Sequence, residues 1–264
     1  MSDPDAAAIR YVVASPIAEL ILNRPEKRNA LNADMWACLP DLVARANDDP
    51  SVKAIIVHGG DTGAFAAGAD ISEFDTIYAT PESAEAFGAT IAAALEALET
   101  SPKPTIAAVD GVCVGGGVSL AMACDLRFGS VGSKYGVTPA KLGLVYPAGD
   151  TRRLMQAIGP GATKDLLFTG RIFDADTANE MNLIDRLILD VSAIGAARLF
   201  AAEIAKNSQW SIRAIKTMIL GLQSGWTDAD PRARALFADG FSNIDFEDGH
   251  KAFVEKRPPK FTFE

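Results

Sequence analysis

Three consecutive glycines, Gly115-Gly116-Gly117, stand between Val112-Cys113-Val114 and Val118-Ser119-Leu120-Ala121. The run Thr105-Ile106-Ala107-Ala108-Val109, bounded by Pro104 and Asp110, reads as a buried strand, and the residues after the glycines are good helix formers. The order is strand, glycine turn, helix. No side chain shields the backbone at such a turn, and the N–H groups of the helix's first turn point outward at the positive end of its dipole. That geometry can hold an anion, or an oxygen that becomes anionic during a reaction. For the glycines alone, an ordinary tight turn where helix and strand pack closely is the better reading. Neither Gly-x-Gly-x-x-Gly nor Gly-Lys-Ser/Thr occurs here, so no dinucleotide or nucleoside triphosphate is indicated.

Other reactive residues are sparse. His58 follows a strand and precedes Gly59-Gly60, which reads as structural; His250 lies near the C-terminus, on the surface. A Ser–His nucleophile is therefore not expected near Ser119. Cys38, Cys113 and Cys124 form no Cys-x-x-Cys pair and lie in apolar segments, as buried thiols do. His and Cys are too few and too badly spaced for a metal cluster.

The elements that must position the glycine turn follow from patterning. The chain has 264 residues, 48% apolar and 22% charged, enough for a sizeable core. A net charge of −9 argues against a nucleic-acid surface but leaves room for a few cations placed on a polyphosphate. The acidic start is not a signal peptide, and no run approaches a membrane span, so a cytoplasmic location is expected. Residues 9–22 read as paired strands. Asn32 caps a helix to about Asn47, with Pro40 bending it or delaying its start. Strands are expected at 52–57, 105–109, 126–130 and 187–189. Pro81 opens a long helix to Glu99 with Phe87, Ile91, Leu95 and Leu98 on one stripe. Gly63 to Ile71 reads as loop, and helix begins at Gly149 or Asp150 and dominates thereafter. This is an α/β core with a helical C-terminal extension.

The stretch Gly63-Ala64-Phe65-Ala66-Ala67-Gly68-Ala69-Asp70-Ile71, taken with the glycine triplet, resembles the crotonase (enoyl-CoA hydratase/isomerase) superfamily. The likeness extends through Leu22-Asn23-Arg24-Pro25, Asn29-Ala30-Leu31-Asn32, Pro102 to Gly111, and Ala252-Phe253-Val254-Glu255-Lys256-Arg257, in the family's order along nearly the whole chain. It implies an α/β crotonase-like spiral of ββα units over residues 1–200 and a helical C-terminal trimerisation region over 201–264. The expected assembly is a homotrimer or homohexamer. It implies an acyl-CoA substrate, with coenzyme A as part of the thioester and no tightly bound cofactor. Two backbone N–H groups, matched here to Ala66 and Gly116, would hold the thioester oxygen; one such donor is typically worth ~3 kcal/mol. Arg28 and Ala30 match the loop along the nucleotide and pantetheine, Ala64, Asp70 and Ile71 the adenine cradle, and Phe253 and Lys256 a C-terminal pair that reaches the nucleotide. Residues 251–264 carry Lys251, Lys256, Arg257 and Lys260 against Glu255 and Glu264, a local basic excess suited to phosphate.

The family's catalytic side chains do not carry over. Enoyl-CoA hydratases have a glutamate two residues after the glycine triplet and a second in the segment matched by Tyr135 to Ala140. These positions hold Ser119 and Pro139 or a neighbour. Hydration needs an acid and a base within reach of one water. The pattern Thr-Pro-x-x-Leu-Gly-x-x-Tyr, from Thr138 to Tyr146, resembles the methylmalonyl-CoA decarboxylases, in which the threonine and tyrosine line the acyl pocket. Thr138 and Tyr146 fit that role, or a turn cap and a packing residue. Asp150 is the nearest acid on the family template, either a helix N-cap or the remaining base; Glu73 and Asp75 read as solvated. The expected chemistry is a thioester enolate reaction lacking both usual glutamates. Decarboxylation of a small malonyl-type CoA and non-catalytic acyl-CoA binding are the alternatives.

Overall fold

A computed structural model describes residues 7–263. The sheet strands alternate between two layers. Strands β1 (Ile9–Ala14) and β2 (Ile17–Leu22) form an antiparallel hairpin, and α1 (Ala33–Asp48) returns the chain to β3 (Ala54–His58) beside β2. The next strand, β4 (Ala64–Ala66), leaves that sheet and starts a second one. After α2 (Phe74–Ile77) and α3 (Pro81–Glu99) the pattern repeats: β5 (Thr105–Val109) joins the first sheet and β6 (Val112–Val114) the second, followed by α4 (Gly116–Met122). It repeats again with β7 (Leu126–Ser130), β8 (Lys134–Gly136) and α5 (Ala148–Thr169). The result is the expected spiral of ββα units. The second sheet closes with β9 (Ile172–Asp174), and, after α6 (Ala175–Glu180), β10 (Arg186–Ile188) closes the first. The tail comprises α7 (Ala193–Ile204), α8 (Gln209–Gln223), α9 (Pro231–Asp239) and α10 (Ile244–Glu255).

The central strands β3 and β5 are buried along their whole length, because helices cover both faces of this mostly parallel sheet. On one face Ile56, Ile106 and Phe128 meet Ala193, Ile194, Ala197 and Ala201 of α7. On the other, Val57, Ala107 and Val109 belong to the main core with Leu39, Val43, Leu95 and Leu98 of α1 and α3.

Several expectations change here. Residues 64–66 form a strand rather than a loop, and β6, β8 and β9 complete a sheet of three-residue strands too short to show alternation. Helix α1 starts at Ala33 despite Pro40, with Asn32 Oδ1 accepting from the Met35 N–H at 3.0 Å. Helix α5 begins at Ala148, so Asp150 is its third residue and Pro147 holds the cap position. Glu73 is not simply solvated: its Oε2 accepts from the Ala33 N–H at 2.9 Å. Cys38 is only partly buried. Pro81 does open α3, with a capping box between Thr80 and Ser83.

Candidate active site

The glycine turn sits where the two sheets feed α4. Gly115 has φ 53°, ψ −115°, a backbone conformation that a side chain would strain, and its N–H donates to the Gly136 carbonyl at 2.9 Å. Gly116 is the first residue of α4, so its N–H has no carbonyl partner inside the helix. The next residue brings the two motifs together. A Cβ on Gly117 would stand 2.5 Å from the Ala66 carbonyl oxygen and 3.0 Å from the Ala66 Cβ. The first turn of α4 therefore rests directly on the end of β4. The Trp36 ring backs this turn, 3.3 Å from where a Cβ on Gly116 would lie.

One helical turn beyond Gly116, on the same face, is Ser119. Its Oγ is 2.7 Å from the Tyr146 OH and donates to Asp150 Oδ2 at 2.8 Å. All three residues are buried. Burial pushes the Asp150 carboxyl up from its ordinary value, opposed by the Ser119 hydrogen bond and the Arg153 charge. Burial likewise raises the Tyr146 hydroxyl, and the nearby Asp150 adds to the effect. Asp150 is thus not an N-cap: α5 presents it from its first turn toward α4. Thr138 takes no part in the hydrogen bonds of this cluster. It precedes the 3-10 turn Pro139–Leu142, and its side chain makes no capping hydrogen bond.

Behind Asp150 the polar chain continues through residues the sequence did not single out. Arg153 Nη1 donates to Asp150 Oδ1 at 3.3 Å, while its Nε and Nη2 donate to Glu99 Oε2 at 3.0 and 2.6 Å. A cavity of about 510 Å³ between α3, α5 and α8 reaches Asp150, Arg152, Arg153 and Glu99. Ala66 and Gly116 are not in its wall. The doublet Arg152-Arg153 beside Asp150 was a visible signal; Glu99, remote in sequence, carried none.

The two loops matched to nucleotide contacts are zipped together. Leu31 N–H donates to the Gly68 carbonyl at 2.7 Å, Asp70 N–H to the Leu31 carbonyl at 2.9 Å, and Ala67 N–H to the Arg28 carbonyl at 3.0 Å. Asp70 accepts from the Ser72 hydroxyl and pairs with Arg24 Nη2 at 2.7 Å; these bonds, the Ser72 one foremost, hold its carboxyl down at about 2. Arg24 also donates to the Ala30 carbonyl. Arg28 and Ile71 are exposed, whereas Ala64 is buried, with its carbonyl taken by Asn29 and Thr62. Phe253 is 85% exposed on α10, and Lys256 is the left-handed C-cap of that helix, its N–H donating to the Phe253 carbonyl at 3.3 Å. The expected basic excess is smaller than its count, because Arg257 pairs with Asp248 and Glu255. His58 is structural: its Nε2 lies 3.1 Å from Glu19 and its Nδ1 accepts from the Gly60 N–H.

Among the described residues no helix is long and apolar enough to cross a membrane, and no three His, Cys, Asp or Glu residues are grouped to hold a metal. Comparison with known proteins agrees with the fold. The enoyl-CoA hydratase/isomerase family model matches residues 13–264. The crotonyl-CoA hydratase of Syntrophomonas wolfei is 36% identical over 250 residues, 93% of this chain and 94% of that protein. The crystal structure of an enoyl-CoA hydratase/isomerase family protein from Hyphomonas neptunium is 62% identical with a TM-score of 0.98, covering 99% of this chain and all of that one. An enoyl-CoA hydratase/carnitine racemase structure from Magnetospirillum magneticum, 35% identical, superposes with a TM-score of 0.93 over 98% of this chain and 96% of its own. The chain belongs to the enoyl-CoA hydratase/isomerase family.

Proposed function

We propose that the protein acts on an acyl-CoA thioester, holding the thioester oxygen between the backbone N–H groups of Ala66 and Gly116. Removing a proton beside a thioester, adding water to its enoyl form, or losing CO2 from it all place negative charge on that oxygen. Preorganised backbone donors meet this charge without reorganising. The observation that carries the reading is the contact of β4 with the first turn of α4, where Gly117 leaves no room for a Cβ against Ala66. Arg28, Ala30, Asp70 and Ile71 lie on the zipped loops and would flank the nucleotide and pantetheine; Ala64 supports them from beneath. Phe253 and Lys256 would reach a nucleotide from the tail. Coenzyme A arrives as part of the substrate, with no separate cofactor.

Proton transfer in this reading falls to the cluster of Ser119, Tyr146 and Asp150. Asp150 is the base, and the Ser119 hydroxyl relays between it and the substrate, since an unassisted serine is too weakly basic. Thr138 borders the acyl group. A second reading, decarboxylation of a malonyl-type thioester, draws on the neutral hydroxyls of Ser119 and Tyr146, 2.7 Å apart, which could hold a carboxylate out of the thioester plane. Purified protein with crotonyl-CoA and with methylmalonyl-CoA separates the two. Hydration of the first supports proton transfer; CO2 release from the second supports decarboxylation. Tight acyl-CoA binding with no turnover would leave a binding subunit. Exposed Phe237, Phe241, Ile244 and Phe246 on and beside α9 and α10 favour a trimer or hexamer built through 201–264, measurable by sedimentation.

A further inference from the structure

We propose that Arg153, held in place by Glu99, is a positioning residue that sets how firmly Asp150 holds its proton. The proposal rests on the reading of Asp150 as the base.

Arg153 divides its hydrogen bonds unequally between two carboxylates. Its guanidinium can offer two neighbouring N–H groups to one of them. Those two go to Glu99, Nε and Nη2 both donating to Oε2, at 3.0 and 2.6 Å. Asp150 receives one contact, from Nη1, at 3.3 Å. Glu99 is the last residue of α3 and is fixed from its other side by Arg152, whose Nη2 donates at 2.8 and 3.0 Å. Arg153 and Asp150 are both less than a tenth exposed, so water screens their interaction little.

A carboxylate at this depth with no cation beside it stays protonated, and one with a full guanidinium fork stays ionised. Asp150 has neither environment. Glu99 competes for Arg153 and leaves Asp150 with a partial partner, suited to a group that must both take and release a proton. The other groups facing Asp150 are the hydroxyls of Ser119 on α4 and Tyr146 before α5. Across the 510 Å³ cavity stand Glu96 of α3, the neutral Gln223 of α8 and its C-cap Ser224. Glu99 and Arg153 are thus the charged pair whose balance Asp150 feels most directly.

The competition makes a signed prediction that a scaffolding role does not. Glu99→Gln releases part of Arg153 toward Asp150 and lowers its titration midpoint by about one pH unit. Arg153→Met removes the cation and raises the midpoint by about the same amount. Arg153→Lys keeps the charge and moves it less than Arg153→Met. The midpoint is read from the carboxyl 13C shift in protein labelled at the aspartate side chain, assigned with Asp150→Asn. A parallel readout is the acidic limb of kcat/KM for crotonyl-CoA. The NMR titration needs no turnover. Opposite shifts in a protein that turns over no thioester would support this inference while refuting the functional reading. Shifts of the same sign, or none, would overturn the inference whatever the activity. Should Arg153→Met not fold, Glu99→Gln and Arg153→Lys carry the same comparison.

Discussion

The hydroxyl of Ser119 and the carboxylate of Asp150 are 2.8 Å apart, although they come from different helices and lie 31 residues apart in the chain. The serine stands one helical turn from Gly116, on the same face of α4. Ser119→Ala removes the hydroxyl that joins Asp150 to Tyr146 in this cluster. Turnover should fall about 100-fold, a usual figure for losing a proton-transfer group. Stability should fall by roughly 1–3 kcal/mol, because two buried polar groups lose a partner. Steady-state kinetics and denaturant unfolding measure the two effects separately.

Gly117→Ala addresses the backbone donors. Its Cβ would stand 2.5 Å from the Ala66 carbonyl oxygen, and the atoms it meets are backbone and a short side chain that cannot swing away. The loops must separate, and turnover should drop roughly 100- to 1,000-fold, the usual cost of losing one such donor. Gly161→Ala is the control. Gly161 lies in α5 outside the wall of the cavity, and a methyl group there would meet nothing within 4 Å, so the variant should be about 0.5–1 kcal/mol more stable with unchanged turnover.

The zipped loops should govern affinity rather than rate. Asp70→Asn weakens the Arg24 pair at 2.7 Å that ties residues 24–31 to residues 64–71. Losing a charge-assisted bond of this kind should raise KM for an acyl-CoA about tenfold with little change in kcat. An equal fall in kcat would mean that the loops shape the reacting end instead.

Away from the site, Glu19 of β2 is held by Arg198 of α7 at 2.6 and 2.8 Å and by His58 of β3 at 3.1 Å. Burial alone would raise its carboxyl, but these partners bring it down from 4.5 to about 2. A carboxyl lowered on folding stabilises the protein above its unfolded value, and that contribution is lost as pH falls. Thermal melts should therefore show stability falling between pH 4.5 and 2. Glu19→Gln should cost about 1.5–3 kcal/mol at pH 7, because the half-exposed Arg198 loses its charge-assisted bonds, and should flatten that acid dependence.

Much of this architecture was legible because it rests on long patterns. β5 is a continuous apolar run, and α3 announces itself with Pro81 and a 3.6-residue stripe. The second sheet was not legible: three-residue strands such as β4 and β6 are fixed by pairing with each other, not by any local period. Ser119, Tyr146 and Asp150 were legible as candidates, but not their mutual contact, which depends on how α5 enters the fold. Asp150 read first as an N-cap because local sequence cannot tell the first residue of a helix from the third. Glu99 carried no signal at all, since its meaning comes from Arg153, 54 residues later.

Enolate formation at a backbone-held thioester is tested most simply by hydrogen exchange at the carbon beside the thioester of butyryl-CoA in D2O, followed by NMR or mass spectrometry. Such exchange requires neither hydration nor CO2 loss. Wild-type protein is expected to incorporate deuterium there, and Asp150→Asn to slow the incorporation about 100-fold. Butyryl-CoA bound without exchange, or exchange at an undiminished rate in Asp150→Asn, would contradict the proposed chemistry.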